Sequence, residues 1–196
     1  MNKADVSTEA FFAGYASRLQ AVLQSESWGG VKQLAEELRD CWTTKRQVFI
    51  CGNGGSAGNA IHLANDFIYG ISKQHGSGLR VTALPANSAV LTCLANDEGY
   101  ESIFSMPLAV QADAGDVLIV LSGSGNSPNI LKVLEEARKI GMKSFAILGY
   151  SGGKAKAMAD VALHFPVEDM QIAEDMQLIV GHMVMQWLYA NRPVTD

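Results

Sequence analysis

Short apolar runs and stretches of helical spacing alternate along the chain from residue 47 onward. The apolar runs predict strands at residues 48–51, 79–84, 116–121, 143–148 and 161–165. Apolar residues at helical spacing predict helices at residues 57–69, 100–112, 128–140 and 170–188. Strands that are apolar without strict alternation are typical of a parallel sheet covered on both faces. The pattern therefore predicts an α/β core over residues 47–190, with a parallel sheet between two layers of helices.

The first 46 residues carry a helical pattern without strands. Apolar residues recur at three- and four-residue spacing on both sides of Trp28-Gly29-Gly30, which predicts two helices. Because these helices are rich in aromatic residues, we expect them to pack against a large surface such as another subunit. No linker or repeat separates them from the core. Residues 1–196 are therefore predicted to form a single domain, in which residues 1–46 are a helical pair used in packing and oligomerisation.

Composition and charge narrow the class of protein. Apolar residues make up 48% of the 196 residues and charged residues 18%, which is typical of a globular protein. The net charge of −5 and the lack of a Lys and Arg cluster argue against a nucleic-acid partner. The N-terminal sequence lacks the features of a signal peptide, and every apolar run is far shorter than the roughly 20 residues that span a bilayer. We therefore expect a cytoplasmic protein with neither a membrane nor a nucleic-acid partner.

Two glycine- and serine-rich loops follow predicted strands, at residues 52–56 and 122–127. The carboxyl ends of parallel strands meet at one edge of a sheet, and ligands bind there. The second loop carries three hydroxyls just before Pro128, at a helix N-terminus, where free N–H groups and the helix dipole favour a phosphate. A capped turn without a ligand would show the same serines, so that alternative stays open.

Neither loop matches a common nucleotide-binding pattern. No Lys follows the glycines as GxxxxGK[ST] requires, and Ala57 stands where GxGxxG requires its third glycine. Two small loops at one sheet edge instead predict a ligand that is phosphorylated at one end and polyhydroxylated along the rest.

Cys51 precedes the first loop, and we expect it to pack at the strand end, because no His that could activate its thiol is apparent nearby.

Four polar residues lie on two of the predicted helices. His62 and Asp66 are four residues apart, and Glu174 and His182 are eight apart, so each pair shares a helix face. Two His and two carboxylates could bind Zn²⁺ or another divalent ion, or could serve as acid and base next to a carbonyl. A packed or surface imidazole is the simpler alternative for each His, and Asn96-Asp97 could be a helix cap.

A family resemblance is carried by four segments, CGNGGSAGNAIH, LANDEGYESIF, GDVLIVLSGSGNSPNI and EDMQLIVGH. In order and spacing they closely resemble the sugar isomerase (SIS) family. Within it they look like the phosphoheptose isomerase branch, the sedoheptulose 7-phosphate isomerases of lipopolysaccharide and capsule heptose synthesis. The likeness covers about residues 11–188. It implies a five-stranded parallel sheet in a flavodoxin-like three-layer α/β/α fold, assembled as a homotetramer with sites at subunit interfaces.

The resemblance also implies roles for particular residues. Ser122, Ser124 and Ser127 would hold the substrate phosphate. Asp66 as base and His182 as acid would convert sedoheptulose 7-phosphate to D-glycero-D-manno-heptose 7-phosphate, an aldose–ketose exchange through an enediol. The other implied substrate-binding residues are Asn53, Gly54, Ser56, Asn96, Asp97, Gly123 and Glu174. The implied zinc ligands are His62, Asp66, Glu174 and His182.

The chain departs from the family pattern at several of these positions. The departures are Asp66 in place of Glu, Glu174 in place of Gln, Gly123 in place of Thr, and Gly70 in place of a basic residue, for which Lys73 would have to substitute. Two alternatives to an isomerase therefore stay open: a phosphosugar-binding protein without chemistry, and a SIS protein that binds the bacterial replication initiator. Relatives of the second kind look to lack the second His, whereas this chain keeps His182.

Overall fold

The computed structural model describes residues 7–25, 28–73 and 76–193. Its helices are α1 (Thr8–Ser25), α2 (Gly29–Thr44), α3 (Gly55–Asn65), α4 (Ser88–Asp97), α5 (Ser105–Gln111), α6 (Pro128–Ile140), α7 (Ala155–Met158) and α8 (Met170–Ala190). Its strands are β1 (Gln47–Gly52), β2 (Arg80–Ala83), β3 (Val117–Ser122), β4 (Lys143–Leu148) and β5 (Val161–His164). A π-helical turn, Asp66–Gly70, continues α3, and 3-10 turns lie at Leu84–Ala86 and Tyr100–Ser102. The ends of the predicted domain, at residues 1–6 and 194–196, and residues 26–27 of the predicted helical pair lie outside this description.

The five strands form one parallel sheet in the order β2-β1-β3-β4-β5, which confirms the predicted α/β fold. The chain passes from β1 outward to β2 and then returns to the other side of β1 with β3. The order of the strands therefore reverses between β1 and β3, and the crevice at such a reversal is where open α/β sheets bind ligands. Both glycine- and serine-rich loops follow these two strands.

Helices cover both faces of the sheet. Along β1, Val48 and Ile50 pack into a core with residues of α2, α3 and α8. The intervening Phe49 and Cys51 pack on the opposite face with residues of α5, α6 and α7. Successive side chains of a strand point to opposite faces, so a strand buried on both sides reads as one continuous apolar run.

The segment between β2 and β3 differs from the prediction. β2 ends at Ala83, because Pro85 has no N–H for a strand ladder and lies in the 3-10 turn that follows. The sequence analysis misses α4, a ten-residue helix in which no residue is fully buried and Leu91 and Leu94 pack against the core only partly buried. The predicted helix over residues 100–112 is instead a 3-10 turn followed by the shorter α5. The alternative that Asn96-Asp97 cap the start of a helix is wrong, since they are the last two residues of α4.

Helices α3 and α8 run side by side in the same direction. Near their starts, Gln177 donates a hydrogen bond from Nε2 to Ser56 Oγ at 3.0 Å, and Asn59 Nδ2 donates to Gln177 Oε1 at 3.0 Å. Further along, Gly181 passes so close to Leu63 that a Cβ at this glycine would lie 2.8 Å from Leu63 Cδ1. The missing side chain of Gly181 therefore allows the two helices to approach closely. No helix in the described segments combines the length and apolarity needed to cross a membrane.

Candidate active site

The two loops and the start of α8 enclose one cavity at the β1–β3 crevice. Its volume is about 260 Å³. The lining residues are Asn53, Gly54, Gly55, Ser56, Leu121, Ser122, Gly123, Ser124, Ser127, Met170 and Glu174. All of the predicted substrate-binding residues of the two loops, and Glu174, therefore meet in one place. Asn96 and Asp97 are not among the lining residues.

The second loop is shaped by its own hydroxyls. Ser122 Oγ accepts a hydrogen bond from the Gly125 amide at 3.0 Å, and Ser124 Oγ accepts one from the Asn126 amide at 3.3 Å. Ser127 occupies the N-cap position of α6, but its side chain makes no capping hydrogen bond. The Ser127 hydroxyl is therefore not used by the helix, and a helix start favours an anion.

Two side chains from α8, the predicted Glu174 and the unpredicted Met170, explain two of the glycines of the cavity. A Cβ at Gly55 would lie 2.6 Å from Glu174 Cδ, so this glycine makes room for the carboxylate. A Cβ at Gly123 would lie 2.6 Å from Met170 Sδ, so Met170 fills the space that the family's usual Thr would take. The Gly123 departure is therefore matched by a methionine from α8. Nothing in the sequence pattern pairs these distant positions.

A second group of polar side chains lies further along α3 and α8. His62 Nε2 and His182 Nε2 are 2.9 Å apart, and Asp66 Oδ2 lies 3.4 Å from the former and 3.6 Å from the latter. The two imidazoles are about half exposed. One ligand atom from each of the three residues lies within 4.8 Å of the others, which is the spacing of a metal site or of an acid–base cluster. The carboxylate of Glu174 does not belong to this group.

Asp66 reaches both imidazoles although its side chain is shorter than the usual Glu. It begins the π-helical turn, in which the Ile71 amide donates to the Asp66 carbonyl at 3.0 Å. Such wider turns inside helices are frequent at functional sites. A Cβ at Gly70 would lie 2.8 Å from Met185 Cε, so Gly70 allows α8 to pack against this turn. Lys73, which would have to substitute for the basic residue that Gly70 replaces, places its ammonium over the ring of Tyr69, 5.7 Å from the ring centroid.

Asn96 and Asp97 bond to each other rather than into the cavity. Asn96 Nδ2 donates to Asp97 Oδ1 at 2.6 Å, and Cys93 Sγ donates to Asp97 Oδ2 at 3.4 Å. The bond from Asn96, followed by that from Cys93, lowers the pKa of the Asp97 carboxyl. Burial raises the pKa of the Cys51 thiol, which fits the packing role expected for that residue.

Comparison with known proteins gives a consistent result. The SIS domain family model matches residues 10–149. A Helicobacter pylori phosphoheptose isomerase is 37% identical over 154 residues, which are 79% of this chain and 80% of the relative. The phosphoheptose isomerase of Akkermansia muciniphila is 35% identical over 158 residues, or 81% of this chain and 83% of that protein.

Solved structures agree with the sequence relatives. The phosphoheptose isomerase GmhA of Neisseria gonorrhoeae superposes with a TM-score of 0.86 at 27% sequence identity. The match covers 94% of this chain and all of that one. The shared sheet, the two loops at its switch point and the sequence identity over most of the chain lead to one conclusion: this chain is a member of the SIS domain family and, within it, of the phosphoheptose isomerase family.

Proposed function

We propose that this protein is an aldose–ketose isomerase that converts sedoheptulose 7-phosphate to D-glycero-D-manno-heptose 7-phosphate, in the heptose synthesis that supplies lipopolysaccharide or capsule. The observation that carries the proposal is the contact of Asp66 with both His62 and His182. His62 and Asp66 lie on the helical segment that leaves the hydroxyl-lined cavity, and His182 lies on α8. The names of the sequence relatives support the choice of reaction and sugar. We place the reaction in the cytoplasm.

The cavity would hold the phosphate end of the sugar. Ser122, Ser124 and Ser127 offer hydroxyls, and α6 directs its N-terminus at the same space. Hydrogen bonds to a charged phosphate are stronger than those between neutral groups, and the helix dipole adds to them. Asn53 and Ser56 line the opposite side, where they would contact the oxygens of the sugar.

Asp66 and His182 would carry out the proton transfers. Asp66 takes a proton from C1 of the ketose, the electrons of that C–H bond form the C1–C2 double bond of an enediol, and the C2–O2 π electrons move to O2, which gains a proton. The same carboxyl then returns a proton to C2, while the His182 imidazole moves protons between O1 and O2. Both groups already lie within 3.6 Å of each other, so one sugar carbon and its oxygen can reach both.

The same group of residues fits zinc. Two imidazole nitrogens and a carboxylate oxygen are ligands that Zn²⁺ prefers, and His62, Asp66 and His182 bring them within 4.8 Å of one another. A zinc ion bound there would polarise the substrate carbonyl and stabilise negative charge on its oxygen. Because Asp66 stands in both the metal set and the acid–base pair, metal content and turnover need to be measured on the same sample.

We propose a homotetramer with sites shared between subunits. Ser56 and Asp66 are ten residues apart on continuous helix, which is about 15 Å along the axis. None of His62, Asp66 and His182 lines the 260 Å³ cavity. A larger open cavity, of about 800 Å³, lies along the neighbouring face of α3, where Ile61 and Ile68 are exposed. A second subunit on this face would cover the apolar residues and bring another subunit's groups to each acid–base cluster.

Subunit complementation tests the shared site. Ser124→Ala and Asp66→Asn each remove a different half of it. If one site uses two subunits, tetramers that contain both variants recover, at a sugar concentration too low to saturate Ser124→Ala, part of the activity that each variant alone has lost. Light scattering of the purified protein gives its subunit number directly. A monomer, or mixed oligomers as inactive as their parents, would contradict the proposal.

The reaction is tested by proton exchange. Metal-quantified protein is incubated in D₂O with sedoheptulose 7-phosphate and then with fructose 6-phosphate, and the sugars are followed by NMR. We expect deuterium to enter C1 of the heptulose together with a new aldose phosphate. Asp66→Asn is the matched control, because the amide keeps the size of the side chain and cannot act as a base. Binding without exchange on either sugar would overturn the isomerase in favour of a phosphosugar-binding protein.

A further inference from the structure

Asn129 is a polar residue that the proposed mechanism does not use, although it is fully buried at the start of α6. Its Nδ2 donates to Asn53 Oδ1 at 2.7 Å, and its Oδ1 accepts from Asn53 Nδ2 at 2.9 Å. The same Oδ1 accepts from the Ile130 amide at 3.0 Å. Asn129 therefore forms a reciprocal amide pair with Asn53, which lines the cavity from the other loop.

The direction of every bond in this network follows from one backbone group. The Ile130 N–H can only donate, so the Asn129 atom that it contacts must be the oxygen. The other Asn129 atom is then the amide nitrogen, and the atom of Asn53 that it faces must be an oxygen. The Tyr100 hydroxyl, 3.1 Å from the same Asn53 oxygen, therefore donates to it as well.

The network leaves Asn53 with one group for a ligand. Its oxygen already accepts from Asn129 and Tyr100, and one of its two N–H groups donates to Asn129. The second N–H has no acceptor among the residues described here. If the amide of Asn53 were turned over, its oxygen would face Asn129 Oδ1 and its nitrogen would face Asn129 Nδ2. Neither contact is a hydrogen bond, so the pair holds Asn53 in a single orientation.

We infer that Asn129 is a positioning residue, which holds Asn53 so that the cavity offers an N–H donor at this point and therefore selects a ligand oxygen that accepts a hydrogen bond. The inference rests on the proposed function for its ligand, a sugar phosphate. It assigns a specificity to the first loop: Asn53 selects a carbonyl or phosphate oxygen, or the lone pair of a hydroxyl. It also joins the first loop, the start of α6 and the turn at Tyr100 into one unit, because each contributes one member of the network.

The first test is a binding series with sedoheptulose 7-phosphate, measured by calorimetry. We expect Asn53→Ala and Asn129→Ala each to weaken binding about tenfold, the value of one hydrogen bond. If Asn129 acts through Asn53, the double variant binds no more weakly than Asn53→Ala alone. Asn129→Asp keeps the size of the residue but cannot donate, so we expect it to lose at least as much as Asn129→Ala. If the loss of affinity in the double variant equals the product of the two single losses, the inference is overturned.

A matched control separates positioning from stability. Val133 is also fully buried on α6, one turn after Asn129, and makes no part of the network. Val133→Ala should lower the stability of the fold while sugar phosphate binding stays within about twofold, because the amide pair is intact. Asn129→Ala keeps a bond for the Ile130 amide, which also contacts the Ser127 carbonyl at 3.0 Å. Equal effects of Val133→Ala and Asn129→Ala on binding would mean that Asn129 acts through stability alone.

A second measurement needs no ligand, so it separates failure of the inference from failure of the proposed function. The side-chain NH₂ signals of Asn53 in ¹⁵N-labelled protein are identified by their loss in Asn53→Ala. We expect the proton that is bonded to Asn129 to exchange with D₂O about tenfold faster in Asn129→Ala than in the parent, because that bond no longer protects it. An unchanged rate would overturn the inference. A protein that shows the protection but neither binds nor converts sedoheptulose 7-phosphate would refute the proposed function alone.

Discussion

The cavity and the cluster of His62, Asp66 and His182 are built in different ways, although both lie along α3 and α8. The cavity is formed mainly by backbone: two loops at strand ends, a helix N-terminus and glycines whose missing side chains make room for Glu174 and Met170. The cluster is formed by side chains from two helices, and its imidazoles are about half exposed. A site made of loops at a sheet edge keeps its shape within one chain. The cluster, in contrast, depends on the packing of the two helices against each other.

Asp66→Asn should have the largest effect, because it tests the cluster and leaves the cavity untouched. We expect turnover of sedoheptulose 7-phosphate to fall roughly 10²- to 10⁴-fold, the range for loss of a general base. Binding of the phosphate end should change little. Steady-state kinetics measure the turnover, and calorimetry measures the binding. Turnover within a few-fold of the parent protein would remove Asp66 from the role of base.

Ser124→Ala tests the cavity and should leave the cluster unchanged. The variant loses a hydroxyl next to the phosphate, and hydrogen bonds to charged groups contribute about 1.5–3 kcal/mol, so binding should weaken roughly 10- to 150-fold. The positions of His62, Asp66 and His182 should not change, since Ser124 contacts none of them. Calorimetry with sedoheptulose 7-phosphate measures the loss. Unchanged affinity would exclude this loop from the phosphate site.

Gly181→Ala tests whether the cluster depends on helix packing. The new Cβ would lie 3.0 Å from Leu63 Cγ as well as close to both of its methyl groups, in a buried contact. Overpacking of this kind costs about 1–3 kcal/mol in the free energy of unfolding. The two helices should also separate at His62 and His182, so metal affinity and turnover should fall with stability. Urea denaturation and metal titration check both effects, and a variant as stable as the parent would contradict the packing argument.

Gly55→Ala and Gly58→Ala form a matched pair on α3. A Cβ at Gly58 meets nothing within 4 Å, so Gly58→Ala should stabilise the helix by about 0.5–1 kcal/mol without changing binding. A Cβ at Gly55 would displace the Glu174 carboxylate, the mobile end of a flexible side chain, at little cost in stability. Sugar phosphate binding should therefore change in Gly55→Ala only. Equal binding in the two variants would show that the position of Glu174 is unimportant.

A substitution of Asp169 should have the smallest effect, on stability. Asp169 is the N-cap of α8, the helix that contributes to both the cavity and the cluster. Its carboxylate caps α8 by accepting from the Gln171 and Ile172 amides, and it pairs with Arg18. The Ile172 bond, followed by the bond from Arg18, lowers the pKa of Asp169. Because the folded pKa is depressed, the stabilisation is complete above the unfolded value of about 3.9 and is lost as the pH falls through the folded pKa.

The check on Asp169 is a pair of urea titrations at pH 7 and pH 3. Asp169→Asn keeps the cap oxygen but has no charge to lose. The difference in the free energy of unfolding between the parent and the variant should therefore shrink from pH 7 to pH 3. A difference that stays constant would mean that the charge of Asp169 contributes nothing to the fold.

Local pattern was sufficient for the strands and the loops. The runs at β1 and β3 are apolar because both faces of these strands are buried, and the glycines and serines that follow mark the turns. The four-residue spacing of His62 and Asp66 places them on one helix face, as predicted. Helix α4 shows the limit of this reasoning. It is short and none of its residues is fully buried, so the apolar residues that pack against the core, among them Leu91 and Leu94, form too brief a pattern to identify the helix.

The sequence by itself determined the class of fold, the order of its strands along the chain, and the two loops at the carboxyl ends of strands, because these follow from local patterns and from the rules of parallel sheets. Tertiary structure decided the order of the strands in the sheet and which polar residues of different elements meet. Glu174 and His182 share a helix, yet eight residues of helix are about 12 Å long, so one lies in the cavity and the other in the cluster. The partnership of Asn129 with Asn53, and of Gly123 with Met170, likewise depends on contacts between segments far apart in the chain. Such contacts produce no periodic pattern in the sequence of either segment, so local pattern cannot predict them.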